Sequence, residues 1–237
     1  MQNNKGVFIT FEGGDGAGKS THLYYVAEAL RSRGDRVVCL REPGGTIIGE
    51  QLRNVVLDPG NYVMTPESEL LIYEAARAQL VAQVIKPALD NGSIVLCDRF
   101  ADSTVAYQSF GRGLDRSFID DVNRFSCQSI WPDRTILMLT GGDVELGLER
   151  ATHDKHADRL EMAGNDFHER VNMGYLSLAE EDPERIRVVI SDEAKTVTAR
   201  KVFNELSDLF PWMGDPSICT DEFFAGLAMK RDLMRRS

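Results

Sequence analysis

The 237-residue chain is 43% hydrophobic and 27% charged, the ordinary mix of a soluble globular protein, and is long enough for one large α/β domain or two small ones. Its net charge of −10 argues against a polymeric nucleic acid as the main partner, which would favour a basic face, but leaves room for a small anion held by a local Arg and Lys cluster. No apolar run approaches the ~18 residues needed to span a membrane, and Met1-Gln2-Asn3-Asn4-Lys5 leads straight into the first predicted strand, leaving no room for a signal peptide.

Val7 to Phe11 is a β-branched and aromatic run, read as a buried strand. Gly13-Gly14-Asp15-Gly16-Ala17-Gly18-Lys19-Ser20 follows, and fits the phosphate-binding P-loop pattern G-x-x-x-x-G-K-[ST]. Several N–H donors must converge on a phosphate chain, and glycines let the backbone wrap that closely. Lys19 then reaches the β- and γ-phosphates, and the Ser20 hydroxyl can sit on Mg²⁺. These eight residues and the adjoining Thr21 are the candidate contacts to a bound nucleotide's phosphates. Leu23, Val26, Ala27 and Leu30 form a helical stripe behind the loop, closed by Gly34.

Arg36 to Leu40 reads as a second buried strand, broken by Arg41-Glu42-Pro43-Gly44-Gly45-Thr46. A short helix over about Gly49 to Leu57 carries Arg53. Thr65-Pro66-Glu67 starts another, running to about Asn91-Gly92 with a kink or early stop at Pro87. Tyr73 and Arg77, four apart on it, share a face.

Ile94 to Cys97 is a third apolar strand, and Asp98-Arg99-Phe100 stands at its tip. A carboxylate there can help hold Mg²⁺, or can cap the next helix. A helical turn over Ser103 to Ser109, a helix over Arg116 to Cys127 and a strand over Thr135 to Leu139 follow. Gly141-Gly142-Asp143 turns into a helix ending near Arg150, and residues 150–165 read as a mobile polar loop. Phe167, Val171, Tyr175 and Leu178 form a helical stripe, Ile186 to Ile190 a fifth strand, and Lys195 to Leu209 a last helix of the domain. The four cysteines form no C-x-x-C pair, and Cys39 and Cys97 lie in strand-like runs as small buried hydrophobes, which suits a reducing cytoplasm.

Strands alternating with helices predict an α/β fold of the P-loop NTPase type: a five-stranded parallel sheet covered on both faces, with a mobile lid. Ligands then bind beyond the C-terminal strand ends, where the P-loop, residues 41–46 and residues 98–100 all fall. The expected division is one P-loop domain over residues 1–210 and a tail over residues 211–237. In the tail, Phe223, Phe224, Leu227, Met229 and Leu233 can line one side of a helix that is packed, dimer-forming or loosely held.

Taken in order, Phe11-Glu12-Gly13 with the P-loop, Arg41 to Thr46, Ala75-Ala76-Arg77, Asp98-Arg99-Phe100, Ala106-Tyr107-Gln108 and Asp158-Arg159-Leu160-Glu161 resemble the thymidylate kinase family over roughly residues 5–209. The resemblance implies ATP and dTMP as substrates, Mg²⁺ as cofactor, a role in dTTP synthesis and a homodimer. Asp15 then matches a carboxylate near the sugar 3′-hydroxyl, and Arg53 and Arg99 match arginines on the acceptor phosphate. Tyr73 stands where an aromatic, commonly Phe, stacks on thymine. Arg77 matches the donor to the base O4, Thr104 and Gln108 match polar contacts to the base, and Tyr107 matches a ring crowding the 2′ position. The P-loop position that is basic in some relatives is Gly16 here, so the lid must supply the charge from Arg150, Lys155 or Arg159. Arg150 is the first choice because it ends the helix leading into the lid. Thr140-Gly141-Gly142 departs from an acidic pattern after the fourth strand.

A phosphate monoester is mostly dianionic at neutral pH, its second pKa being about 6, so the acceptor needs no general base. The catalytic set is then Lys19, Arg99, Asp15 and Arg150, with Ser20 and Asp98 toward Mg²⁺. A kinase for another nucleoside monophosphate, or for a deoxynucleoside with Glu12 or Asp15 as base, is the nearest alternative. A GTP-switch module is disfavoured because the chain has no N-K-x-D motif. On this reading Arg77→Ala chiefly damages selectivity for thymidylate.

Overall fold

A computed structural model of the chain describes residues 6–140, 158–191 and 194–236. Five strands, β1 (Phe8–Glu12), β2 (Val37–Arg41), β3 (Ile94–Asp98), β4 (Arg134–Leu139) and β5 (Ile186–Ile190), form one parallel sheet in the order β2-β3-β1-β4-β5. From β1 the chain goes out to the edge strand β2, returns to β3 beside β1, and then crosses to the other side for β4 and β5. The crevice at the tip of β1 is therefore the place where ligands bind in such sheets.

Alternation along β1 divides the core. Ile9 and Phe11 face α1 (Lys19–Ser32), whose Leu23, Val26 and Leu30 cover that side. Phe8 points the other way, into a cluster with Val95, Cys97 and Phe100. The second face is covered by α3 (Pro66–Leu80), α6 (Arg116–Ser126) and α7 (Asn165–Glu181). Beside α3 lies α2 (Ile47–Leu57), capped by Thr46, whose hydroxyl accepts from Gly49 N–H at 2.9 Å.

The sequence and the structure part in several places. The expected helix from Thr65 to Gly92 is α3, a π-helical segment over Val81–Ile85, and α4 (Lys86–Asp90). Pro87 lacks an N–H and its ring crowds the carbonyl four residues back, and a wider turn just before it accommodates both demands. The turn expected over Ser103 to Ser109 is α5 (Ala101–Thr104) followed by a second π segment, Val105–Gly111. Strand β2 is an edge strand; Val38 and Leu40 pack on one face and Val37 on the other, while Cys39, beyond Val37 on that second face, is exposed rather than buried. The helix α8 (Lys195–Glu205) stops short of Leu209 and gives way to tight turns.

Residues 158–164, the end of the predicted mobile loop, are fixed. Arg159 N–H donates to Leu57 O at 3.1 Å, its Nε to Val56 O at 2.9 Å, and Nη2 pairs with buried Glu69 at 2.6 Å. The rest of that loop, with Arg150 and Lys155, and the helix expected before it lie outside the described residues.

The tail is packed. After a short 3₁₀ turn at Pro211–Gly214, α9 (Asp221–Arg236) lies against α1 and α8. Phe224 and Leu227 enter the α1-side core, and Phe203, Trp212, Phe223 and Phe224 stack edge to face. Met229, expected on that side, is 63% exposed. Among the described residues, no helix is long and apolar enough to cross a membrane. Removing the Phe224 ring is expected to cost about 3–5 kcal/mol of stability; denaturant unfolding of Phe224→Ala measures it.

Candidate active site

The P-loop turns tightly off β1. Gly13 sits at φ +123°, and a Cβ there would lie 2.0 Å from the Met138 carbonyl oxygen of β4. Gly18, at φ +92°, is the left-handed residue from which α1 begins. Lys19 Nζ donates to Gly14 O at 2.7 Å, and Ser20 Oγ donates to Asp98 Oδ2 at 2.5 Å, tying the helix start to the tip of β3. Burial and the Arg99 charge lower the Lys19 pKa, while Asp15 and Asp98 oppose them.

Arg99 is the first of two guanidinium hubs. Its backbone is left-handed, φ 70°, an uncommon state for a side-chain-bearing residue. Its N–H donates to Phe11 O at 2.9 Å, which holds it there. Nη2 donates to Asp15 Oδ1 at 2.6 Å, Nη1 to Gly13 O at 3.1 Å and to Tyr175 OH at 3.2 Å, and the guanidinium stands 5.1 Å from the Tyr107 ring centre. Burial would raise the Asp15 pKa, but Arg99 and Lys19 outweigh it and hold that carboxyl well below its usual range.

Beneath this pair lies Glu12, fully buried. It accepts from Phe100 N–H at 2.6 Å, Ser103 Oγ at 2.6 Å and Tyr175 OH at 2.9 Å. Burial, with a contribution from Asp102, pushes its carboxyl up to about 7. The polar role of Tyr175 escaped the sequence reading, which took it as one more apolar position of a helical stripe.

Arg77 is the second hub, 2% exposed. Nε donates to Glu42 at 2.9 Å. Nη1 donates to Glu74 at 2.5 Å and to Thr104 and Asn123 at 2.8 Å each. Nη2 pairs with Glu42 at 2.8 Å and donates to Phe100 O at 3.1 Å. Burial works against the charge, but Glu42 and Glu74 outweigh it and keep Arg77 protonated. All five N–H groups of a guanidinium thus have protein acceptors. Gln108 is likewise held, Nε2 donating to Glu69 at 2.9 Å.

These hubs open on one cavity of about 830 Å³. Its lining includes Asp15 to Thr21, Arg53, Tyr73, Arg77, Asp98, Arg99, Thr104, Tyr107 and Gln108. Of the other candidates, Gly13 and Gly14 do not line it, and Arg150 falls outside the described residues. Strand order lays the cavity out. Arg41 to Pro43 and Arg53, whose Nη1 donates to Pro43 O at 3.0 Å, stand at the β2 side, the P-loop stands at the centre, and Ser191, Ala194 and Lys195 stand at the β5 side. Glu12 does not line it.

Two outcomes follow for the hubs. Arg77→Ala strands Glu42 and Glu74 in the core, so stability is expected to fall by about 3–5 kcal/mol, beyond any change in selectivity; thermal and denaturant unfolding read this. The Glu12 carboxyl titrates near 4.5 in an unfolded chain and near 7 in the fold. The folded protein therefore binds that proton more tightly, and stability present below pH 4.5 is lost as pH rises through about 7. Glu12→Gln is expected to flatten this part of a plot of unfolding temperature against pH.

Comparisons with known proteins converge. The thymidylate kinase family model matches residues 11–201. The thymidylate kinase of Trichlorobacter lovleyi is 46% identical over 208 residues, covering 85% of this chain and 95% of its own length. That of Geobacter sulfurreducens is 46% identical over 212 residues, covering 87% and 99%. The crystal structure of thymidylate kinase from Ehrlichia chaffeensis superposes with a TM-score of 0.71 at 32% identity, covering 85% of this chain and 98% of that one. With the P-loop, both hubs and the cavity on one sheet edge, the chain belongs to the thymidylate kinase family.

Proposed function

We propose that the chain phosphorylates dTMP to dTDP, with ATP as the donor, by in-line transfer to the acceptor 5′-phosphate. The observation that carries this reading is the cavity itself. A P-loop lies at its centre, and two arginines, Arg53 and Arg99, lie on the side toward β2 with the Tyr73 ring. That second group suits a phosphate monoester joined to a flat base, since a guanidinium matches a phosphate and an aromatic face takes a base.

The chemistry asks for charge and alignment more than for a base. The acceptor is already a dianion, and the obstacle is repulsion between two polyanions. Lys19 takes the β- and γ-phosphates, Arg99 lies between donor and acceptor, and Arg53 holds the acceptor phosphate. Asp15, fixed by Arg99, is the partner for the sugar 3′-hydroxyl. Tyr73 packs on thymine, Thr104 and Gln108 give polar contacts, Arg77 shares an N–H with the base O4, and Tyr107 crowds the 2′ position. Arg150 remains the proposed lid cation. Of the two acids that might serve a nucleoside's 5′-hydroxyl, Glu12 is buried away from the cavity and Asp15 is bound to Arg99. This favours a nucleotide acceptor over a nucleoside.

Mg²⁺ fits the donor set. Ser20 Oγ and Asp98 Oδ2 lie side by side on the cavity wall, both hard oxygen ligands, and this ion usually takes one or two protein oxygens with phosphates and water. When bound, it supplies positive charge to the β- and γ-phosphate oxygens.

A homodimer and a cytoplasmic location complete the proposal. Val55, Leu71, Phe118 and Phe125 are exposed on α2, α3 and α6, which pack side by side, and such a patch is suited to a second copy. All four cysteines are free thiols, which suits a reducing compartment.

Following ADP and dTDP formation over a panel of acceptors tests the reading. dTMP is expected to be consumed far faster than thymidine or purine monophosphates. Consumption of another acceptor in its place would overturn the substrate assignment. Lys19→Ala is expected to lower turnover by at least about a hundredfold while leaving the unfolding temperature nearly unchanged, read by the same assay and by thermal melting.

A further inference from the structure

Helix α9 lies wholly beyond residue 201, where the family match ends. It nevertheless reaches the active-site cavity: Arg231 is part of the lining, together with His22, Ala194, Lys195 and Thr198. Its packing fixes its orientation. Phe224, Leu227 and Arg231 recur at the 3,4 spacing of one helix face. The first two are buried in the α1-side core, and the third carries a cation to the cavity edge. At the start of α9, Arg200 of α8 donates to Cys219 O and to Asp221, both at 2.6 Å, and stacks over Phe224. Arg231 itself stands 5.9 Å from the Tyr24 ring centre of α1.

The neighbourhood is pre-formed. His22, one turn into α1, uses its two ring nitrogens on Gly18 O at 2.9 Å and Lys195 O at 3.2 Å, joining the P-loop to the start of α8. Burial lowers its pKa, with smaller contributions of the same sign from Arg231 and Lys195. This end of the cavity therefore offers the His22 ring and the cations of Lys195 and Arg231. If the P-loop holds the donor phosphates and the acceptor lies toward β2, the donor's nucleoside must leave the P-loop toward β5, where these residues stand.

We propose that α9 is an added wall of the donor nucleotide's seat, with Arg231 its contact to the nucleoside part of ATP. A guanidinium there can lie against the purine face or donate to ribose oxygens, both open to its planar fork. This rests on the reading of ATP as donor, and the experiment separates the two.

ATP affinity is measured by titration calorimetry without any acceptor, and KM for ATP and for dTMP by steady-state kinetics. The proteins are the full chain, Arg231→Ala, and Lys230→Ala, an exposed neighbour on the same helix. Arg231→Ala is expected to weaken ATP binding and raise its KM roughly tenfold, with the KM for dTMP within twofold and Lys230→Ala like the parent. Unchanged ATP affinity in Arg231→Ala overturns the proposal, as does a parallel rise in both KM values, which would mark a general disturbance. A parent chain that binds ATP but leaves dTMP untouched removes the acceptor reading, while the Arg231 comparison still decides this one. A parent chain that binds no ATP overturns both.

Discussion

Repulsion between two phosphate groups is the constraint around which this molecule is built. Two dianionic groups approaching contact need positive charge fixed in place beforehand, because cations that had to be gathered during the reaction would cost reorganisation. A parallel sheet meets this need through its geometry. Every strand points the same way, so β1, β2 and β3 deliver the P-loop, the Arg53 seat and the Asp98-Arg99 pair to one edge. Arg99 shows how far the fold goes to hold such a charge. It keeps a left-handed backbone at the tip of β3 and is bonded to Asp15, the Gly13 carbonyl and Tyr175.

Behind the cavity lies a second layer whose function is position. Glu12, Ser103 and Tyr175 bind one another, Ser103 and Tyr175 accept from Arg99, and Arg77 gathers Glu42, Glu74, Thr104 and Asn123 from four separate parts of the chain. Buried ionic groups of this kind contribute little net stability, and their removal is costly mainly because the partners are left unpaired. Their value here is rigidity, since phosphoryl transfer tolerates little misplacement. The same packing ties the segment after residue 158 to α2 and α3 through Arg159 and Glu69.

Much of this was legible in the sequence, for a physical reason. The P-loop is contiguous, and its strand and helix flank it directly, so spacing alone reveals it. The parallel sheet follows from the alternation of apolar runs with helical stripes, and the motifs fall at strand ends by topology. Contacts between distant residues left no such trace. Asp15 and Arg99 are 84 positions apart, and Glu69 pairs with Arg159 across a still longer interval. The exposed edge position of Cys39 depends on strand order, which a single apolar run does not encode. Pro87 announced an irregularity but not its form, because the relief comes from a π turn placed before it. The aromatic tail could not be docked by sequence, since its partners, Phe203 and the α1 face, also serve as ordinary core.

On the proposed reading both nucleotides lie end to end in one cavity, with phosphates meeting over Lys19 and Arg99. The most direct measurement is calorimetric binding of a single molecule in which adenosine and thymidine are joined 5′ to 5′ through a phosphate chain long enough to span donor and acceptor. It should bind at one site per chain, more tightly than ATP or dTMP alone, and exclude both. Affinity no greater than that of ATP, with dTMP still able to bind beside it, would contradict the shared cavity and the charge arrangement built on it.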